Sequence, residues 1–147
     1  MAEHGHRELR ELTNADSLRL LGTVRFGRIA FARYALPTIR PVNHVVDGED
    51  VIVHANLGIV PLHVDRQVVS YEVDTIDHET QLGWCVILTG TTAAVTDPAD
   101  IAYYERLIDP WLPGAPHRII RIQPDIVTGI ELVGHAELPD AGPIATP

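Results

Sequence analysis

Short segments in which apolar and polar residues alternate recur along most of this 147-residue chain. Alternation with a period of two residues is typical of β-strands that bury one face. The pattern predicts six or seven strands, with a hairpin turn at residues 47–50 and a bend at Gly90; the last segment is one strand or two separated near Pro124. The segments are RFGRIAF, LPTIRPVNHVV, VIVHA, QVVSYEVDTID, GWCVILTGTTAAVTD and HRIIRIQPDIVTGIELV.

Two helices have recognisable start signals. Thr13 or Asn14 can cap the first helix, which Gly22 ends. Asp97 can cap the second, with Pro98 at its first position. Because these helices do not alternate with the strands, the order is not that of a βαβ protein. It predicts an antiparallel barrel with peripheral helices.

Composition narrows the class of protein. One domain is expected over residues 12–133, between a flexible N-terminus (residues 1–11) and a disordered tail (residues 134–147) that is rich in Pro and Gly. No stretch approaches the roughly 20 apolar residues of a membrane helix, and the polar N-terminus lacks a secretory signal, so a cytoplasmic location is expected. The net charge of −9 argues against nucleic acid as a partner.

Few residues suit hydrolytic or metal chemistry. Cys85 is the single cysteine and lies in an apolar segment, where a cysteine is more often a small packed residue than a reactive thiol. The chain has no GxSxG, GxGxxG or Walker sequence. His44, His54 and His63 are too far apart in sequence to form a short-range metal motif, so no metal site is predicted.

One predicted strand, LPTIRPVNHVV, carries more polar side chains than a strand built only for a core. Arg40, Asn43 and His44 either form an ion pair and hydrogen bonds at a strand edge or face a ligand. With GRIAF, YEVDTID and GW-V--TG, this segment resembles the pyridoxamine 5'-phosphate oxidase-like flavin-binding split-barrel family, in the branch of actinobacterial flavin and deazaflavin oxidoreductases. The resemblance covers residues 12–132. It implies a mainly β, antiparallel split β-barrel that forms a homodimer, with flavin sites at the dimer interface.

The resemblance also implies where the flavin would bind. The strand from Ile39 to His44 would run beneath the isoalloxazine ring, Trp84 would pack near the ring, and His54 would lie near the phosphoribityl arm. His44 is the best candidate for a general acid or base, since histidines titrate near neutral pH, and the catalytic residues are otherwise unassigned. The implied cofactor-binding residues are Arg40, Pro41, Val42, Asn43, His44, His54, Ala55, Asn56, Gly58, Ile59, Val60, Arg66 and Trp84.

One segment departs from the family pattern. The serine and lysine that usually hold the flavin phosphate in this branch correspond here to Ile59 and Val60, which offer no side-chain donor. Arg66 or an arginine of the partner subunit would have to replace them. The expected function is an oxidoreductase that uses FMN or a deazaflavin on a small organic substrate. The alternatives are a non-catalytic protein that binds flavin, deazaflavin or haem, and a cofactor-free barrel with another role.

Overall fold

A computed structural model describes residues 6–54, 66–108 and 118–134. Within these residues the chain forms seven strands and two helices, so the mainly β class predicted from the sequence is confirmed. The elements, in chain order, are β1 (Arg7–Leu12), α1 (Asn14–Leu21), β2 (Phe26–Arg33), β3 (Leu36–Asp47), β4 (Asp50–His54), β5 (Val68–Asp74), β6 (Gly83–Ala94), α2 (Pro98–Leu107) and β7 (Ile119–Gly134).

The strands form one antiparallel sheet that closes on itself. Their order is β1-β7-β4-β3-β2-β5-β6, and an additional pairing joins β6 to β7. Six strands therefore complete a barrel, and β1 lies outside the closed ring beside β7. This arrangement confirms the predicted antiparallel barrel with helices at its periphery, and it is the split β-barrel that the resemblance implied.

Local sequence chemistry explains both helices. The Thr13 side chain accepts a hydrogen bond from the backbone N–H of Asp16, and α1 ends at Gly22, as predicted. Asp97 accepts from the backbone N–H of Ala99, with Pro98 at the start of α2. Each cap satisfies one backbone donor that the first turn of a helix leaves without a partner.

Local residues explain the second turn and the bend, whereas the first turn has two non-glycine residues with positive φ. Tyr34 and Ala35 join β2 to β3 with φ of 50° and 62°, and Gly48, with φ of 62°, closes the predicted hairpin between β3 and β4. The register of β6 on β7 shifts between Thr89 and Gly90, so the predicted irregularity is present. The last segment is one continuous strand, since β7 passes through Pro124 without ending.

The N-terminus departs from the expectation of flexibility, because Arg7–Leu12 forms β1. One edge of β7 pairs with β6 along most of its length. On the other edge, the short β4 reaches only Ile119 to Ile122, and β1 pairs with Gly129 to Gly134. β1 thus satisfies backbone groups that the short β4 leaves unpaired. Its own polar sequence gave no sign of this role.

The apolar residues form two clusters. The larger fills the barrel interior and includes Leu21 of α1, Tyr71 and Trp84. The smaller lies between the outer face of the barrel and α2, and it is formed by Ile52, Tyr104, Ile108 and Ile119. α2 is therefore held on the barrel wall beside β3, β4 and β7, and its C-terminal end borders the candidate site.

Candidate functional site

His44, the candidate acid or base, is buried inside the barrel with 3% of its surface exposed. Its Nε2 lies 2.8 Å from the carbonyl oxygen of Leu21, and its Nδ1 lies 2.5 Å from the hydroxyl of Tyr71. A carbonyl oxygen only accepts, so Nε2 carries the proton and the Tyr71 hydroxyl donates to Nδ1. The two rings meet edge to face, with centroids 5.3 Å apart.

The electrostatics of this pair favour neutral side chains. Burial lowers the pKa of His44, and the hydrogen bond to Leu21 only partly opposes this effect. Burial also raises the pKa of the Tyr71 hydroxyl, with a smaller contribution from the charge of Glu72. Both ring nitrogens of His44 are thus used within the protein. This geometry favours a structural role that ties α1, β3 and β5 together, while a catalytic role stays a prediction.

The predicted cofactor strand, β3, divides its side chains between two faces. Val42 and His44 are buried in the barrel, whereas Pro41 and Asn43 alternate with them on the outer face. Asn43 is opposite Phe26 of β2 on this outer face. The strand therefore presents only some of its predicted residues to an external ligand.

Four other predicted residues lie on or beside four different strands. Arg40 donates from Nη1 to the carbonyl of its neighbour Ile39 at 2.8 Å. His54 is buried at the end of β4, and Trp84 belongs to the barrel core with 9% exposure. Arg66 is exposed just before β5. The position of Trp84 is that of a core residue. Its stacking on a ligand stays a prediction.

The remaining predicted positions belong to the segment of sequence that follows β4. These positions lie outside the described residues, and they are Ala55, Asn56, Gly58, Ile59 and Val60. The phosphate-loop prediction is therefore neither confirmed nor contradicted.

A cleft of about 650 Å³ lies between the start of β2, the middle of β3 and the C-terminal end of α2. Such a volume is in the range of sites for small organic cofactors. The cleft brings Asn43 and His44 together with residues that the sequence analysis missed. Its lining residues are Gly22, Val24, Arg25, Phe26, Asn43, His44, Val45, Val46, Arg106, Leu107 and Ile108.

Both apolar and cationic groups line this cleft. Phe26 and Leu107 are large apolar residues that remain 49% and 51% exposed. Arg25 and Arg106 supply positive charge. A weak signal for Phe26 existed in the sequence, because the chain has only two phenylalanines. No signal placed Arg106 near β3, because helix α2 is more than fifty residues further along the chain and reaches β3 only in the fold.

Cys85 does not offer a reactive thiolate. It is half-buried on β6. Burial raises the pKa of its thiol to about 11, with smaller contributions from the charges of Glu72 and Asp74. Across the described ranges, no three or more His, Cys, Asp or Glu side chains are grouped closely enough to hold a metal ion.

Among the described residues, neither helix has the length and apolar character needed to cross a bilayer.

Comparison with solved structures relates this barrel to flavin-binding proteins. The FAD binding protein from Mycobacterium smegmatis matches with a TM-score of 0.69 and 28% identity, over 86% of this chain and 100% of that one. The FAD and heme binding protein from the same species matches with a TM-score of 0.61, over 95% of this chain and 93% of that one. At 16% identity the second likeness shows the fold alone.

Sequence comparisons cover nearly the whole ordered chain. The uncharacterized protein Rv0080 of Mycobacterium tuberculosis is 40% identical over 139 residues, which are 90% of this chain and 91% of that protein. The family model described as pyridoxamine 5'-phosphate oxidase matches residues 13–131. The closed antiparallel barrel and these matches agree: the chain belongs to the pyridoxamine 5'-phosphate oxidase family.

Proposed function

We propose that this chain binds a flavin in the cleft beside β3 and acts as a flavin-dependent oxidoreductase on a small organic substrate. The observation that carries the proposal is the combination of an apolar wall and arginine side chains in one cleft of suitable volume. A flavin nucleotide needs both, since it joins a flat ring to an anionic arm. The FAD-binding relative from Mycobacterium smegmatis supports the choice of ligand class.

The residues of the cleft have distinct tasks in this proposal. Phe26 and Leu107 provide apolar surface for the ring, and Asn43 provides amide donors and an acceptor for its polar edge. When bound, the flavin supplies hydride or electron transfer, and the protein binds and orients it and excludes water. FMN is the cofactor expected from the sequence, and FAD and a deazaflavin are the competing forms.

Haem fits the residues that line the cleft less well than flavin. A haem iron needs an accessible histidine nitrogen, and His44 uses both of its ring nitrogens in hydrogen bonds. Haem ligation by the histidine of this cleft would therefore require His44 to give up the bond to Leu21 or to Tyr71.

A second candidate function is non-catalytic flavin binding. In the described part of the chain, no carboxylate lines the cleft, and the one histidine that does is already hydrogen-bonded within the protein. A proton donor for a substrate would have to come from elsewhere. Anaerobic addition of NADH or NADPH to the flavin-loaded protein separates the two candidates. Loss of the yellow absorption supports the oxidoreductase, and an unchanged spectrum supports the binding protein.

The assembly and location expected from the sequence are part of this proposal. The protein is proposed to be a homodimer in the cytoplasm, with a small molecule as its ligand and with neither nucleic acid nor a membrane as a partner. The net charge of −9 supports the exclusion of nucleic acid.

The first prediction tests flavin binding at the cleft. The purified protein is titrated separately with FMN, FAD, a deazaflavin and haemin, and binding is followed by visible absorption. A flavin or deazaflavin is expected to bind with saturation. Leu107→Asp is expected to weaken its affinity about tenfold, because a carboxylate would replace apolar contact with the ring.

Tyr103 provides a matched control on the same helix. It is 50% exposed, close to the 51% of Leu107, but it does not line the cleft. Tyr103→Asp should therefore leave affinity unchanged, provided that circular dichroism shows a folded protein. The proposal fails if no flavin binds, or if Leu107→Asp binds as tightly as the wild type. Saturable haemin binding with a Soret shift would instead favour the haem alternative.

A further inference from the structure

The charge of the cleft is opposite to that of the whole chain. The sequence has 20 acidic and 11 basic residues, a ratio that favours acidic surfaces. The cleft is nevertheless lined by two arginines and, among its described residues, by no acidic side chain. A local cationic site in an acidic protein attracts an anionic group selectively.

The arginines come from two different elements that line the cleft. Arg25 immediately precedes β2, and its carbonyl accepts a hydrogen bond from the backbone N–H of His44 at 2.8 Å, which fixes its backbone against β3. Arg106 lies in the last turn of α2, where its Nε donates to the carbonyl of Ala102 at 3.3 Å. Among the described residues, the Nη groups of Arg106 have no partner.

Each arginine is followed by a half-exposed apolar residue that also lines the cleft. The pairs are Arg25 with Phe26 and Arg106 with Leu107. The site thus places cationic and apolar surface next to each other both at the start of β2 and at the end of α2. A ligand that joins an anion to a flat apolar ring matches this distribution.

We propose that Arg25 and Arg106 hold the phosphate of a flavin nucleotide between them, an assignment that rests on the proposed function. Guanidinium groups suit this task because their parallel N–H donors bind phosphate oxygens in pairs. The sequence that follows β4 has the hydrophobic Ile59 and Val60. The arginine pair therefore supplies the charge that these two side chains cannot.

A basic residue in the last turn of a helix also has a simpler explanation. Arg106 stabilises the partial negative charge at the C-terminal end of α2 whether or not a ligand binds. The two roles differ in what they affect. The helix contribution changes thermal stability alone, whereas the phosphate contribution changes affinity only for ligands that carry phosphate.

The second prediction compares riboflavin, which has no phosphate, with FMN and FAD. Affinities for the wild-type protein, Arg106→Gln and Arg25→Gln are measured by quenching of flavin fluorescence. The wild type should bind FMN at least about tenfold more tightly than riboflavin, as expected for a charge-assisted contact. Arg106→Gln should remove most of this advantage and leave riboflavin affinity unchanged, and added salt should reduce the same advantage.

The form of the ligand follows from the pattern across both variants. If both substitutions weaken the affinity for FMN, the two arginines share a monophosphate. If both weaken the affinity for FAD but only one weakens the affinity for FMN, the two arginines hold a diphosphate. Arg33→Gln is the control, because Arg33 stacks over Tyr34 at the far end of β2 and does not line the cleft. Arg106→Lys, which keeps the charge, should retain part of the FMN advantage.

The contrary outcomes separate this assignment from the proposed function. If riboflavin binds the wild type as tightly as FMN does, the phosphate assignment is overturned and flavin binding stands. The same conclusion follows if Arg106→Gln weakens the affinities for riboflavin and FMN equally. If none of the three flavins binds, both proposals fail. Should Arg25→Gln not fold, Arg106→Gln decides the question alone.

Discussion

At the scale of single residues, Glu72 shows how the barrel wall shifts the chemistry of a carboxyl group. Glu72 and Asp74 each lie 3.9 Å from the guanidinium of Arg28 on the outer face of the barrel. Burial raises the pKa of Glu72 to about 7, helped by a hydrogen bond to Asp74 and by the charge of Asp74. Arg28 opposes this shift and does not cancel it.

The third prediction follows from the sign of that shift. The folded protein holds the Glu72 proton up to about pH 7, above the ordinary pKa of 4.5, so this contribution to stability is lost as pH rises between those values. Glu72→Gln keeps a neutral side chain and should gain stability relative to wild type at pH 8 but not at pH 4. The gain should be on the order of 1 kcal/mol, since solvent screens a partly exposed carboxyl.

Denaturant unfolding at both pH values measures this difference. Glu79 is exposed in the turn between β5 and β6, so Glu79→Gln serves as the control and should show no comparable change with pH. An effect of Glu72→Gln that is the same at pH 4 and pH 8 would rule out the shifted titration.

At the scale of elements, the contact between α1 and β7 depends on a missing side chain. The buried Ser17 of α1, whose hydroxyl donates to the carbonyl of Thr13 at 2.8 Å, lies directly over Gly129 of β7. A Cβ atom at Gly129 would overlap the Ser17 hydroxyl. Glycine is therefore required here by close approach, and α1 can pack tightly only because β7 has no side chain at this point.

The fourth prediction concerns this contact. Gly129→Ala should destabilise the protein by about 1–3 kcal/mol, as overpacking of a well-filled site does. Gly22→Ala is the control, since a Cβ there would meet no atom closer than 3.4 Å, and its effect should be small. Removing the hydroxyl with Ser17→Ala should recover part of the loss in the double variant. Additive effects in this cycle, measured by thermal unfolding, would contradict the proposed clash.

At the scale of the whole molecule, the outer face of the barrel has an uncharged row across five strands, with an exposed isoleucine at each end and small residues between them. Successive pairings place one residue from each strand side by side on this face. The residues of the row are Ile39, Ala30, Ser70, Thr89 and Ile126. Ile39 and Ile126 are 60% and 61% exposed, and small side chains lie between them. This surface suits a second copy of the chain, because small residues let two sheets approach closely.

The fifth prediction is that the protein is a dimer through this face. Light scattering should give about twice the chain mass of 16.2 kDa. Ile126→Asp should shift the mass to that of a monomer, because a charge would be buried in the interface. Leu9→Asp is the control, since Leu9 is 59% exposed on β1, outside the closed ring. A monomeric wild type would contradict the dimer, and a dimeric Ile126→Asp would place the interface elsewhere.

The candidate site was only partly predictable. The sequence singled out Asn43 and His44, and the structure places both at the cleft. It did not single out Arg25 or Arg106, because their contribution depends on bringing the end of α2 against β3. The strand that carries His44 was predicted correctly. Which face of this strand is buried was not predicted, and the burial of that face places the imidazole against Tyr71.

The sequence by itself determined the features that depend on neighbouring residues. Alternation predicted strands β2 to β7, Thr13 and Asp97 cap their helices, and Gly48 closes its hairpin, because dihedral preferences and capping bonds act within a few residues. Only the tertiary structure decided the role of Arg7–Leu12, the inward position of Trp84 and the lining of the cleft. These depend on how strands distant in sequence pair and on which face each strand buries, and local patterns do not encode either.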